Sequence, residues 1–144
     1  MYSVGVSDHI MIAHSFKGDP YFGPAGSLHG ATYDVAIEIS TEKLNKHFVV
    51  MDIGALKTVL RKVLSKLDYK NLDEHPAFQG HRSTTEHLAR HIHRELGKGL
   101  TLRLSTTLTI TLDESPVAWA RYSAPVKGHS QLPPPPEDPS KHIA

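Results

Sequence analysis

The 144-residue sequence contains no cysteine. That excludes disulfides, a thiolate nucleophile and any thiolate-bound metal. No apolar run approaches the roughly 20 residues that a membrane-spanning helix needs. Neither sign of charge is in excess, with 16 Lys and Arg against 15 Asp and Glu. The chain therefore has no electrostatic footprint for nucleic acid or an acidic membrane surface. G-x-S-x-G, P-loop and G-x-G-x-x-G motifs are absent. Residues 1–14 carry Asp8, His9 and His14 and lack the basic-then-apolar order of a secretory signal. The expectation is a soluble, cytoplasmic protein with no nucleic-acid or membrane partner, long enough for one domain with a real core.

Histidine is what the sequence has in quantity, with eleven spread along the chain. Around them the apolar residues fall into two periods. Tyr2, Val4, Val6, Ile10, Ile12 and His14 share one parity, which predicts a strand over 2–14, with a bulge near Ser7–His9 where Asp8 breaks the apolar face. A Gly- and Pro-rich loop follows. His29, Ala31, Tyr33, Val35, Ile37 and Ile39 then predict a second strand over about 29–40. From Leu56 the period changes to that of a helix, with Leu60, Val63, Leu64 and Leu67 on one stripe and Asp52 placed to cap it. Arg61, Lys62 and Lys66 fall on the opposite, solvated side. Ser83 and Glu86 have capping-box spacing before a second helix that ends at Gly97 and Gly99. Leu102 to Leu112 alternate with threonines, and VAWARY returns after the Ser115-Pro116 turn.

The order is ββααββ, an α+β domain over 1–123 with four antiparallel strands and two helices on one face. Such a sheet has two open edges, and pairing edges between subunits is one way to protect them. Residues 124–144, with four successive prolines, predict a mobile or extended tail.

Four residues stand out chemically. His14 ends the first strand and His29 opens the second, both on the apolar parity. Imidazole is a common zinc ligand, and catalytic zinc takes three protein ligands and a water, of which these supply two. Ordinary strand-end histidines would give the same pattern. Glu114 closes the third strand in line with Leu112, Ile110 and Leu108. A carboxylate there is costly to bury without partners, and paired N–H donors on a guanidine-like ring edge would satisfy both oxygens. A strand-end glutamate in solvent would read the same way. Asp68 follows the last apolar residue of the first helical stripe. His87 and His91, at i and i+4 on the second helix, read as surface residues.

MIAHSF (11–16), LHGATY (28–33), VVMDIGALK (49–57), LDYKNLDEHPAF (67–78), STTEHLA (83–89) and ESPVAWARY (114–122) occur in one order and spacing. Together they resemble the 6-pyruvoyl-tetrahydropterin synthase and 6-carboxytetrahydropterin synthase family over nearly all of residues 1–122. The resemblance implies a tunnelling fold, in which subunit sheets join edge to edge into an oligomeric barrel, as trimers stacked into hexamers. It implies a pterin-like small-molecule substrate and a zinc ion. By position, His14 and His29 match two metal ligands, Glu114 the pterin-ring clamp, Asp68 the aspartate of a proton relay, and Thr84 and Thr85 a stretch lining the pterin pocket.

The departures have chemical consequences. The family's HGH is HGA here, so Ala31 stands at the third ligand and offers no lone pair. The family's cysteine is missing, with Ala25 near its place. The relay histidine is Tyr69, whose unperturbed pKa of about 10 makes it a proton donor or relay but a poor base. A glutamate present in this loop in some relatives is missing too. His9, His75, His81 or a neighbouring subunit's histidine could replace the third ligand. The first reading is a divergent lyase acting on a dihydroneopterin-triphosphate-like substrate, with a weakened zinc site at His14 and His29 and with Asp68 and Tyr69 moving protons. The alternative is a non-catalytic pterin- or purine-binding protein that keeps Glu114. A third is an oligomeric interaction protein whose LPPPPEDP tail is the ligand of a partner.

Overall fold

The alternating positions become the covered face of a four-stranded antiparallel sheet, ordered β1-β2-β3-β4. The computed structural model describes residues 1–102 and 105–126. Strand β1 (Tyr2–His14) pairs with β2 (His29–Thr41) without a break, from Tyr2 against Thr41 to His14 against His29. The bulge predicted at Ser7–His9 does not form. Arg61 reaches Asp8 at 3.3 Å, so the carboxylate stays on the helix side of a regular strand.

Helix α1 (Ile53–Leu64) starts three residues before Leu56, and the Asp52 carboxylate caps it by accepting from the Ala55 N–H at 2.8 Å. Helix α2 (Thr85–Gly99) is capped by Thr84, which accepts from the His87 N–H at 3.3 Å. Ser83 was the residue expected to cap it from spacing, but its hydroxyl is bonded to His14 instead. The helix runs through Gly97 to Gly99.

Strand β3 (Thr107–Ser115) begins later than the threonine alternation predicts, leaving Leu102 outside it. Leu104 lies outside the described residues. Strand β4 (Ala118–Pro125) and the buried Val126 carry the folded part past residue 123. The Pro-rich segment expected to be mobile lies from residue 127 on, outside the described residues.

Both helices pack on one face, α1 over β1 and α2 over β3 and β4. The seam is dry: Ile10, Val35, Ile39 and Ile110 of the sheet meet Leu56, Leu60, Leu88 and Ile92 of the helices, all essentially inaccessible. Burying each such side chain stabilises the fold by about 1.5–3 kcal/mol. Near its C-terminal end, the outer edge of β1 is capped by residues 69–70. The Tyr69 N–H donates to the Met11 carbonyl at 2.7 Å, and the Ala13 N–H to the Lys70 carbonyl at 3.0 Å. No helix among the described residues is long and apolar enough to cross a membrane.

Candidate functional site

The β1–β2 register sets His14 directly across from His29, with ring centroids 4.6 Å apart and edge to face. His14 is buried, and its Nδ1 lies 3.0 Å from the Ser83 carbonyl and 3.1 Å from the Ser83 hydroxyl. His29 places its Nδ1 2.8 Å from the Ser27 carbonyl. A carbonyl only accepts, so Nδ1 carries a proton on both rings. Burial, reinforced by the neighbouring His29, holds the His14 pKa below its usual value despite the Ser83 hydrogen bond and the nearby Asp73 and Glu114. His14 is therefore a neutral imidazole at neutral pH.

Glu114 owes its position to a break in pairing. The β3–β4 register steps from Asp113 against Trp119 to Ser115 against Ala118, and the unpaired Glu114 sits at this bulge. Its carboxylate accepts from the Thr85 hydroxyl at 2.9 Å and, at 3.5 Å, from the Tyr33 hydroxyl. Burial, opposed by the Thr85 hydrogen bond and reinforced by Glu114, pushes the Tyr33 pKa up to about 12, so Tyr33 remains a donor. Glu114 is itself exposed and lines an open depression of about 450 Å³ with Thr32, Asp34 and Pro116.

Three consecutive residues tie these parts together. Ser83 holds His14, Thr84 caps α2, and Thr85 holds Glu114. The α2 N-terminus is thus the strut between the histidine pair and the carboxylate. Thr84 serves the helix cap, whereas Thr85 touches the candidate site directly.

Asp73 belongs to this neighbourhood and was not singled out from sequence. It accepts from the Ser15 N–H at 3.0 Å and the Ser15 hydroxyl at 2.5 Å. Burial alone would raise its pKa, but those two hydrogen bonds, with Lys17 and His14, hold it below the usual carboxylate value. It sits in a loop with no apolar periodicity, so no sequence pattern marks it. Asp68 and Tyr69, by contrast, lie on the outer edge of β1. Asp68 accepts from the Met11 N–H at 2.9 Å and from Arg61 at 3.2 Å. Tyr69 is 79% exposed with φ at 59°, in the left-handed region. Neither contacts His14, His29 or Glu114 within the chain.

The donor set does not fit a resident three-ligand zinc. Ala31 pairs with Ile12 on the same face and presents a methyl group. The histidines that could have replaced it are elsewhere: His75 packs on Phe78 and His91, His81 on His87, and His9 lies beside Asp8. Among the described residues no three His, Asp or Glu side chains cluster to hold a metal.

The sequence profile described as 6-pyruvoyl tetrahydropterin synthase matches residues 3–125. The chain belongs to the 6-pyruvoyl tetrahydropterin synthase family. No curated protein sequence matches it. Among solved structures, it resembles the Caenorhabditis elegans 6-pyruvoyl tetrahydropterin synthase at 22% identity and a TM-score of 0.75, over 85% of this chain and 95% of that one. A catalytic-residue mutant of the Plasmodium vivax synthase superposes with a TM-score of 0.69 at 20% identity, over 87% and 98%. An uncharacterized Wolinella succinogenes protein does so at 0.62 and 15% identity, over 84% and 97%. At such identities the likeness is one of fold: this sheet and helix pair is the tunnelling fold of the synthase family.

Proposed function

We propose that this family member binds a pterin-like ring in the hollow between the His14–His29 pair and Glu114, the carboxylate taking the guanidine-like edge of the ring. The observation that carries the reading is the Ser83–Thr85 strut, which holds His14 through Ser83 and Glu114 through Thr85 from one helix terminus. Glu114 has two neutral donors on one side and solvent on the other. A ring edge with parallel N–H groups replaces that solvent with charge-assisted hydrogen bonds.

The hollow is completed by a second copy joined edge to edge in a homo-oligomer. His9, Asp34, Asp113 and Trp119 form one row across the sheet. Exposed Met11 and Tyr69 mark that level of the β1 edge, and exposed Trp119 and Val117 mark it on the β4 edge. Abutting the two edges covers both apolar patches and carries Tyr69 of one copy toward Glu114 of the next. Asp68 then serves as the anchor of that tyrosine.

A lyase reading with different chemistry is favoured by one observation, the two imidazoles side by side, each with its Nδ1 turned to a backbone carbonyl. They could take a proton or weakly hold a zinc ion that substrate or water completes, with Tyr69 as proton donor. The experiment is calorimetric titration of neopterin into the full chain, run beside a turnover assay with dihydroneopterin triphosphate. Binding without turnover supports the ring-binding reading, turnover supports the lyase, and neither in a folded protein removes both.

A further inference from the structure

A second cavity, of about 500 Å³, lies between α1, α2 and the turns at 72–78, and shares no residue with the His14–Glu114 site. Its apolar lining comes from Val59, Val63 and Ala77. Lys62, Lys66 and Lys98 line it, against the single acidic residue Glu95, whose carboxylate Lys98 engages at 3.0 Å. The cavity is thus electropositive in a chain whose overall charge is nearly balanced.

Its two imidazoles have defined roles. His75 Nδ1 accepts from the Ala77 N–H at 3.1 Å, capping a short 3₁₀ turn. The proton is therefore on Nε2, which makes His75 a hydrogen-bond donor and a poor metal ligand. His91 lies against it with ring centroids 5.5 Å apart and also packs on Phe78 at 5.2 Å. Burial, opposed by Glu95 and aided by His75 and the nearby cations, drives the His91 pKa down to about 4, so this ring is neutral and adds a flat wall.

We propose that this cavity binds a small organic phosphate, its anionic group held by Lys62, Lys66 and the His75 Nε2–H and its apolar body lying against Val59, Val63 and Ala77. A doubly charged oxyanion matches several donors at once, which a lone carboxylate does not. The volume falls in the range of small-molecule sites, roughly 300–1,000 Å³, and exceeds what free phosphate fills. The apolar lining therefore calls for an organic body.

The test is a titration of the full chain with GMP, inorganic phosphate and guanosine, following the His75 and His91 ring signals by NMR and the heat by calorimetry. GMP should shift both rings and bind about tenfold tighter than inorganic phosphate or guanosine. Lys62→Gln with Lys66→Gln should weaken GMP by about tenfold while leaving the melting temperature unchanged. Glu114→Ala should leave these shifts intact, which separates this cavity from the ring-binding hollow. Absence of any shift at millimolar GMP overturns the proposal. So does GMP affinity indifferent to the two lysines, or guanosine binding as tightly as GMP.

Discussion

The Thr85 hydroxyl donates to the Glu114 carboxylate at 2.9 Å, and so joins the first turn of α2 to the bulge that ends β3. Two residues earlier on the same segment Ser83 holds His14. One helix terminus thereby sets the separation of two groups that are a hundred residues apart in the chain.

Thr85→Ala removes the shorter of the two hydrogen bonds that aim the carboxylate. A hydrogen bond to a charged group is worth about 1.5 kcal/mol, so pterin affinity should fall about tenfold. Thr85→Ser should restore most of it. Calorimetry on the two variants checks this, with circular dichroism showing that α2 persists under its Thr84 cap.

The missing metal ligand gives a gain-of-function prediction. Purified untagged protein should carry zinc well below one ion per chain, because two imidazoles hold it weakly. Ala31→His adds the third donor on the same strand face and should raise zinc occupancy toward one. Metal analysis of both proteins after dialysis reads the difference directly. Full occupancy in the parent would contradict the two-donor description.

Asp68 is tied to the main chain of β1 and to Arg61, so its first effect is on stability. Asp68→Ala should cost about 1 kcal/mol, since it strands the Met11 N–H and leaves Arg61 with Asp8 alone. Tyr69→Phe should cost nothing measurable, because the exposed hydroxyl has no partner within the described part of the chain. Urea unfolding of both variants tests the contrast.

Acid should destabilise the fold through its neutral histidines. Burial holds the folded-state pKa of His14 below 6.5 and brings that of His91 to about 4. Between pH 6.5 and 4 the unfolded chain binds more protons, so this stability is fully present above pH 6.5 and is lost as pH falls through the folded value. The melting temperature should drop across that window, and His91→Phe should make the slope shallower. Asp73, whose pKa is lowered chiefly by the Ser15 hydrogen bonds against its burial, adds a further loss below pH 3.8. An unchanged slope in His91→Phe would contradict the assignment.

Much of this was legible in the sequence because strand and helix periods are local. The β1 and β2 ranges, the Asp52 cap and the places of His14 and His29 at the ends of their strands follow from parity and turn positions. Features that depend on distant partners were not legible. Asp8 looks like a strand fault until Arg61 is brought over it. Ser83 has capping-box spacing, yet a histidine 69 positions away takes its hydroxyl and passes the cap to Thr84. Asp68 stands at the family's relay position and Tyr69 replaces the relay histidine, but the fold puts both on the outer edge of β1. Asp73 lies in a loop without pattern, and its hydrogen bonds from Ser15 become visible only in the fold.

The central claim is that Glu114 holds a pterin-like ring. Calorimetric titration of neopterin into the parent and into Glu114→Ala tests it most directly. Losing paired charge-assisted hydrogen bonds should weaken binding by about a hundredfold, with the fold and oligomeric state unchanged. Equal affinity in parent and variant, or no binding to the folded parent, would contradict it.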